Sequence, residues 1–178
     1  PNGSGKTTLL NLIVRFYDVD SGAVLVGGSD VRQLTQADLR SRIGLVPQSA
    51  VLFSGTVADN IRYGKPNASD AEVEAAARIA QATEFITGMP QGFESPIAQG
   101  GTNVSGGQKQ RLSIARALVR RPEIYLFDDS FSALDFKTDA KLRAALRQET
   151  KEATLLIVAQ RVSTVMDADR IIVLDGGR

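Results

Sequence analysis

The sequence predicts an α/β fold in which a mostly parallel sheet is interrupted by a helical segment. Short apolar runs rich in β-branched and aromatic residues alternate with amphipathic helical patterns, which is typical of parallel strands joined by helices. Between about residues 56 and 118 the signals are mainly helical. The chain's 178 residues fit one domain. We therefore expect residues 1–55 and about 119–178 to form the core, and about 56–118 an inserted helical subdomain.

The first part of the chain predicts helices and short strands. Apolar residues within 8–16 predict a helix directly after a glycine-rich turn. Residues 23–26 and 43–46 are β-rich runs and predict strands. Ser69 and Glu72 form a capping-box pattern that predicts a helix over 71–82. Residues 88–102, rich in Gly and Pro, predict a loop.

The second part predicts a regular alternation of helices and strands. Ser105 with Gln108 is another capping-box pattern, and its helix must end near Pro122. Residues 124–127 predict a buried strand, 138–148 a helix and 154–158 a second strand. Residues 171–174 predict the last strand of the sheet.

The composition excludes several classes of function. Lys and Arg number 21 against 20 Asp and Glu, so the net charge of +1 offers no electrostatic case for binding nucleic acid. No apolar run approaches the roughly eighteen residues of a membrane span. The absence of Cys excludes disulfides and thiolate metal sites, and the absence of His removes the commonest general base and metal ligand.

The chain opens with Pro-Asn-Gly-Ser-Gly-Lys-Thr-Thr, which matches the latter part of the phosphate-loop pattern G-x-x-x-x-G-K-[ST]. Backbone N–H groups of such a loop surround phosphates, and Gly3 and Gly5 allow close approach. Lys6 supplies charge to the β- and γ-phosphates, and the Thr7 hydroxyl is placed to bind Mg²⁺. The pattern predicts nucleotide contacts from Asn2, Gly3, Ser4, Gly5, Lys6, Thr7 and Thr8.

Two further patterns carry chemistry when they occur with this loop. Val-Ser-Gly-Gly-Gln at 104–108 opens a helix whose unpaired N–H groups and positive dipole end suit a phosphate. The run 124–127 ends in Asp128, and an acid at a strand's carboxyl end can hold Mg²⁺ through water. Alone, Ser105 would simply cap a helix, and an apolar strand followed by Asp is common. The order of all three patterns favours the functional interpretation.

Together these patterns resemble the nucleotide-binding domain of an ABC transporter over all 178 residues. Residues 1–8 match Walker A, Gln48 matches the Q-loop, 104–108 the signature, 124–128 Walker B, and 132–135 the D-loop with Asp135. The resemblance implies an α/β P-loop NTPase fold (the ABC ATPase), with a RecA-like core. It also implies that ATP lies between Walker A of one domain and the signature of a second. The partner's ATP would then contact Ser105, Gly106, Gly107 and Gln108, and Mg²⁺ would be held by Thr7, Gln48 and Asp128.

The chain departs from the family at two chemical positions. Asp129 stands where the family usually has Glu as general base, and Gln160 where it usually has the switch His. Asp is one methylene shorter than Glu, and a misplacement of about 1 Å can cost roughly a hundredfold in rate. Gln can donate a hydrogen bond to a γ-phosphate but cannot become a cation. We interpret Asp129 and Gln160 as a weakened catalytic pair, which resembles the degenerate-site subunit of a heterodimeric exporter.

Other segments bear on the assembly that the resemblance implies. Residues 51–61 resemble the segment after the Q-loop in exporter-type domains and would dock a membrane domain. Gln-Gly-Gly at 99–101 stands where many homodimeric exporters have Glu-Arg-Gly, which favours a heterodimer. We expect a second nucleotide-binding domain as partner, transmembrane domains fused upstream, and a position at the cytoplasmic face of a membrane. The strand that normally precedes a phosphate loop is not in the chain, and we expect truncation at both ends.

Three alternatives remain open at this point. The chain could be a competent ATPase of a homodimeric exporter in which Asp129 and Gln160 suffice. It could be a soluble ABC ATPase of translation or DNA repair, although residues 51–61 and the near-neutral charge argue against that. It could also be a nucleotide-binding module in which ATP clamps two chains without turnover.

Overall fold

A computed structural model describes residues 3–177, except for the side chains of Val162 and Ser163. Pro1, Asn2 and Arg178 therefore lie outside the described residues, and so does the nucleotide contact expected of Asn2. Within that range the strands are β1 (Leu25–Val26), β2 (Ser29–Asp30), β3 (Ile43–Val46), β4 (Gly55–Thr56), β5 (Pro96–Ile97), β6 (Ile124–Asp128) and β7 (Thr154–Val158). The α-helices are α1 (Lys6–Ile13), α2 (Gln36–Ser41), α3 (Val57–Arg62), α4 (Asp70–Ile79), α5 (Thr83–Thr87), α6 (Gly106–Leu118), α7 (Phe136–Glu149) and α8 (Val162–Val165).

The central element is a parallel sheet with strand order β3-β6-β7. Ile43 pairs with Ile124, which in turn pairs with Thr154, so the three strands start level with one another. β6 lies in the middle and is buried from Tyr125 to Asp128, which explains its nearly continuous apolar sequence. Because the strands are parallel, the segments that follow them all leave from the same edge. The predicted α/β fold with a parallel sheet is confirmed.

The helical segment packs on one face of this sheet. α3 and α4 both contact α6, and α6 contacts β3. Its core is continuous with that of the sheet, because Val57, Ile86 and Leu112 belong to the same buried cluster as Phe127. A second apolar cluster on the other side joins α1, the β1–β2 hairpin, α2 and the sheet. None of the helices formed by residues 3–177 is both long and apolar enough to cross a membrane.

Side chains cap three helices of this segment, α3, α4 and α6. Thr56, Ser69 and Ser105 each accept a hydrogen bond from the backbone N–H three positions on, and each is part of a reciprocal capping box. The boxes at Ser69 and Ser105 were predicted, and both are confirmed. The helix predicted over 71–82 ends earlier, because Gln81 adopts a left-handed backbone (φ 57) and a separate helix begins at Thr83.

The structure corrects two expectations about strands. Residues 171–174 do not form a strand, and Ile171, Ile172 and Val173 are more than half exposed. A strand requires a neighbour for its backbone groups, and no strand among residues 3–177 lies beside this segment. Residues 23–26 contribute only Leu25 and Val26, paired antiparallel with Ser29 and Asp30 in a hairpin that the sequence analysis missed.

Candidate functional site

The glycine-rich turn before α1 has the backbone of a phosphate-binding loop. Gly3 (φ 77) and Gly5 (φ 93) both adopt left-handed conformations that residues with a Cβ rarely take. Gly5 occupies the N-cap position of α1, and no side chain there caps the helix. The N–H groups of the first turn therefore stay available to a ligand. Lys6 donates from Nζ to the buried hydroxyl of Ser4 at 2.9 Å, which holds the ammonium over the loop.

A cleft of about 370 Å³ opens between this loop and the carboxyl edge of the parallel sheet. Three strands deliver side chains to it: Gln48 follows β3, Asp128 and Asp129 end β6, and Gln160 follows β7. The lining consists of Gly3, Ser4, Gly5, Lys6, Thr7, Thr8, Gln48, Asp128, Asp129, Val158 and Gln160. The cleft therefore contains every described residue that the sequence analysis assigned to the chain's own nucleotide, to the metal or to catalysis.

The first pair in the cleft joins the loop to the central strand. The Thr7 hydroxyl donates to Asp128 Oδ1 at 3.1 Å, across 121 positions of sequence. Asp128 is only 7% exposed. A hydroxyl and a buried carboxylate that meet beside a phosphate loop form the hard oxygen pair that Mg²⁺ prefers when it is also bound to phosphates. No group of three or more acidic residues able to hold a metal is found in residues 3–177. A cation here would therefore take its remaining ligands from phosphates, from water or from uncharged side chains.

The second group surrounds Asp129. Its Oδ2 accepts hydrogen bonds from Gln160 Nε2 at 2.7 Å and from Gln48 Nε2 at 3.3 Å. The residue is 8% exposed and has a left-handed backbone (φ 47), which Asp tolerates better than most side chains. Its backbone N–H donates to the Val158 carbonyl at 3.0 Å, so β7 fixes its position. Because both amides donate from nitrogen, the Gln48 and Gln160 carbonyl oxygens are left to accept from water or bind a cation.

Ser130 is a supporting residue that the sequence analysis missed. It is fully buried, and its hydroxyl donates to the Val46 carbonyl at 2.9 Å, at the end of β3. This bond ties the turn after Asp129 to the strand that leads to Gln48. A Ser after two Asp residues gives no signal of such a role, since the partner lies 84 positions away. Val158, which lines the cleft, was also not anticipated.

The helix start at Ser105 lies apart from this cleft. Ser105 accepts from the Gln108 N–H at 3.2 Å, and its own N–H donates to Gln108 Oε1 at 2.9 Å. Ser105 and Gly106 are exposed, and none of residues 105–108 lines the cleft. A Cβ added to Gly107 would meet the Ala133 carbonyl oxygen at 3.2 Å, so the turn after β6 packs directly against this helix start.

Asp135 is also outside the cleft. It caps α7 by accepting from the Thr138 N–H at 2.9 Å, and the hydrogen bonds from Thr138 lower the pKa of this carboxyl. The structure therefore separates the predicted residues into two sets: the cleft set from residue 3 to 8 with Gln48, Asp128, Asp129 and Gln160, and an exposed set around Ser105 and Asp135.

Similarity to known proteins identifies the family of this chain. The family model described as "ABC transporter" matches residues 1–132. The chain belongs to the ABC transporter family. It is 55% identical over 179 residues to an uncharacterized ABC transporter ATP-binding protein of Mycobacterium bovis, covering 99% of this chain and 30% of the relative. It is 46% identical over 177 residues to the human ATP-binding cassette sub-family B member 6, covering 99% of this chain and 21% of that protein.

A solved structure of a bacterial Atm1-family ABC exporter with ATP bound is similar across the whole domain. The TM-score is 0.97 at 44% identity, covering 100% of this chain and 31% of that one. This chain therefore has the ABC ATPase fold, and it spans about a third or less of the length of the relatives it matches. Within that fold, the residues that the sequence analysis assigned to family motifs lie either in the cleft or in the exposed set around Ser105 and Asp135.

Proposed function

We propose that this ABC transporter domain binds ATP·Mg²⁺ in the cleft between its phosphate loop and the carboxyl edge of its sheet. The observation that carries the proposal is the convergence of Lys6, Thr7 and Asp128 in one cleft, from two elements far apart in sequence. The three supply a cation, a hydroxyl and a buried carboxylate. Such a set suits phosphate oxygens and a hard divalent cation together.

Each residue of the cleft has a role that its chemistry allows. Gly3 and Gly5 leave room for backbone N–H groups to meet phosphates, and Lys6 can swing from Ser4 to the β- and γ-phosphate oxygens. Thr7, Asp128 and the carbonyl oxygen of Gln48 would hold Mg²⁺. When bound, that ion neutralises charge on the phosphate oxygens during transfer.

The Lys6→Ala variant tests this site. In the full-length protein, ATP binding at the cleft should weaken at least about tenfold, because a charge-assisted contact to phosphate is worth on the order of 1.5–3 kcal/mol. Photolabelling with an azido-ATP analogue over a range of concentrations, followed by mapping of the labelled domain, measures the affinity of the cleft. Lys65→Ala is the matched control, since that lysine pairs with Glu72 on the helical segment. Equal labelling of wild type and Lys6→Ala would remove the assignment.

We further propose that hydrolysis in this cleft is impaired. Asp129 would stand as the general base, and its Oδ2 already accepts from two amides. Water would have to approach the other oxygen, on a side chain one methylene shorter than the usual Glu. Gln160 supplies a neutral amide where a charged imidazole would otherwise stabilise developing charge. Both features retain nucleotide binding and slow the chemical step, as expected of a degenerate site.

The exposed helix start would serve a second nucleotide-binding domain. Ser105 and Gly106 lie at the surface, away from the chain's own cleft. Their position at the N-terminus of the 13-residue helix α6 suits a γ-phosphate presented by a partner. We therefore propose a head-to-tail pair of domains, in which this chain donates an intact signature to its partner. The weakened pair in its own cleft favours a heterodimer.

We also propose that the domain belongs to an exporter and docks a membrane domain through its surface after Gln48. The relatives include an ABC exporter and a sub-family B member. The docking surface is defined here as Val51, Phe53 and Tyr63, which are 54%, 40% and 65% exposed. Exposed apolar side chains grouped in this way favour a protein partner. Such a domain would lie at the cytoplasmic face of a membrane, its membrane domains fused upstream.

A competent homodimeric ATPase is the second candidate. It is favoured by one observation, the presence of the Asp129 carboxylate inside the cleft with its backbone fixed by β7. The two candidates differ in how much turnover depends on Asp129, so the ATPase activities of the Asp129→Asn and Ser105→Arg variants separate them.

A further inference from the structure

A half-buried arginine near the end of α6 has no acidic partner. The Arg116 guanidinium donates from Nε to the Asn60 carbonyl at 2.8 Å, from Nη1 to the Val51 carbonyl at 2.9 Å, and from Nη2 to Asn60 Oδ1 at 3.0 Å. No ion pair of Arg116 occurs in the part of the chain that the structure describes, residues 3–177. Burial lowers the pKa of this guanidinium. Its charge is therefore balanced by carbonyl oxygens and by the two aromatic rings that lie over it.

Two aromatic rings cover the same guanidinium. Its central carbon lies 5.0 Å from the centre of the Phe53 ring and 5.5 Å from that of Tyr63. The two rings stack on each other with centroids 4.4 Å apart. Cation–π attraction strengthens as water is excluded. Arg116 thus sets the positions of both rings of the docking surface as well as the backbone carbonyl of Val51.

The helix that carries Arg116 begins at the signature. Ser105 caps α6, and Arg116 lies eleven positions further along the same helix. At 1.5 Å rise per residue the two ends are about 16 Å apart. α6 is a single uninterrupted helix of 13 residues, so a tilt at one end moves the other. The Gly64 Cα also touches this helix end, since a Cβ there would lie 2.0 Å from the Arg116 carbonyl oxygen.

We propose that Arg116 is a positioning residue that couples the docking surface to the signature end of α6. Closure of the signature on a nucleotide moves the helix, and the guanidinium carries that movement to Val51, Phe53 and Tyr63. The inference rests on the proposed head-to-tail site and docking surface. It adds that the two are connected through α6 and the Arg116 side chain.

Hydrogen–deuterium exchange of the full-length transporter in lipid nanodiscs tests the coupling. The probe is a non-hydrolysable ATP analogue with Mg²⁺. In the wild type, the analogue should slow exchange at residues 105–108 and also at residues 51–63. In Arg116→Lys, which keeps the charge but loses the planar fork, exchange should still slow at 105–108. The effect at 51–63 should fall by about fivefold or more, the lower end of usual coupling factors.

Two further variants separate the effect of Arg116 from a general effect of replacing an arginine. Arg120→Lys is matched, because Arg120 also donates to two backbone carbonyls, those of Arg40 and Ser41, but lies outside the ring pair. It should behave as wild type. Phe53→Leu removes one of the two rings over the guanidinium and leaves the acceptors of the three Arg116 hydrogen bonds in place. The effect at 51–63 should be lost in this variant as well, which gives a second test if Arg116→Lys does not fold.

Two different results would be contradictory, one to the coupling through Arg116 and the other to the proposed nucleotide site. Unchanged protection of residues 51–63 in Arg116→Lys or Phe53→Leu would show that coupling runs by another route. Absence of protection at 105–108 in the wild type would refute the proposed composite nucleotide site itself.

Discussion

At the residue scale, the candidate site depends on a few side chains whose neighbours are distant in sequence. The motif patterns predicted that Thr7 and Asp128 would share a site, and the structure places them 3.1 Å apart. The hydrogen bonds from Gln48 and Gln160 to Asp129 could not be predicted, because they span 81 and 31 positions and depend on the register of β3, β6 and β7. Sequence patterns identify such residues, whereas strand register decides which of their atoms meet.

Thr7→Val tests the cation role at this scale. Valine keeps the shape of the side chain and removes the hydroxyl that faces Asp128. We expect the Mg²⁺ concentration for half-maximal ATP binding to rise about tenfold, in line with loss of one charge-assisted contact. Titration of Mg²⁺ at fixed ATP, with the full-length transporter, measures it. Thr8→Val is the matched control and should leave the Mg²⁺ dependence unchanged. An equal shift in both variants would contradict the role given to Thr7.

At the element scale, the capped helices and the buried strands were the easiest features to predict. Thr154–Val158 is a strand with the predicted bounds, and Ser105 caps its helix as its sequence indicated. Residues 171–174 have an equally apolar sequence but no strand beside them in the described range, so propensity alone did not decide their structure. The β1–β2 hairpin did have a signal, the Gly27-Gly28 pair, both with positive φ.

Gly64→Ala tests the contact between the end of α3 and the end of α6. The added Cβ would lie 2.0 Å from the Arg116 carbonyl oxygen, which is backbone and cannot move aside. We expect a loss of roughly 1–3 kcal/mol of domain stability from overpacking, or more. The stability of the domain is measured by thermal unfolding of the full-length protein, with limited proteolysis as the probe of unfolding. Gly88→Ala serves as control, since its Cβ would meet ordinary contacts at 3.5 Å. Equal unfolding temperatures would show that the helices are not in close contact here.

At the scale of the whole molecule, the arrangement favours a division of labour between two sites. The cleft holds the residues proposed to bind ATP together with Asp129 and Gln160, the pair proposed to be weakened, while Ser105 and Gly106 are exposed on a different part of the surface. The turn from Asp129 to Ala133 joins the two places, because the Ala133 carbonyl packs on Gly107. We propose that this chain mainly holds ATP in its own cleft and contributes to hydrolysis through its signature residues.

Steady-state ATP turnover by the assembled transporter at saturating ATP tests this division of labour. Asp129→Asn removes the candidate base, whereas Ser105→Arg places a bulky cation at the helix start. Ser69→Arg, the same change at the capping box of α4, controls for loss of a helix cap. We expect Asp129→Asn and Ser69→Arg to reduce turnover less than about threefold, and Ser105→Arg to reduce it on the order of a hundredfold or more. If Asp129→Asn abolishes turnover as completely as Ser105→Arg, Asp129 is a working catalytic base and the proposed division of labour is wrong.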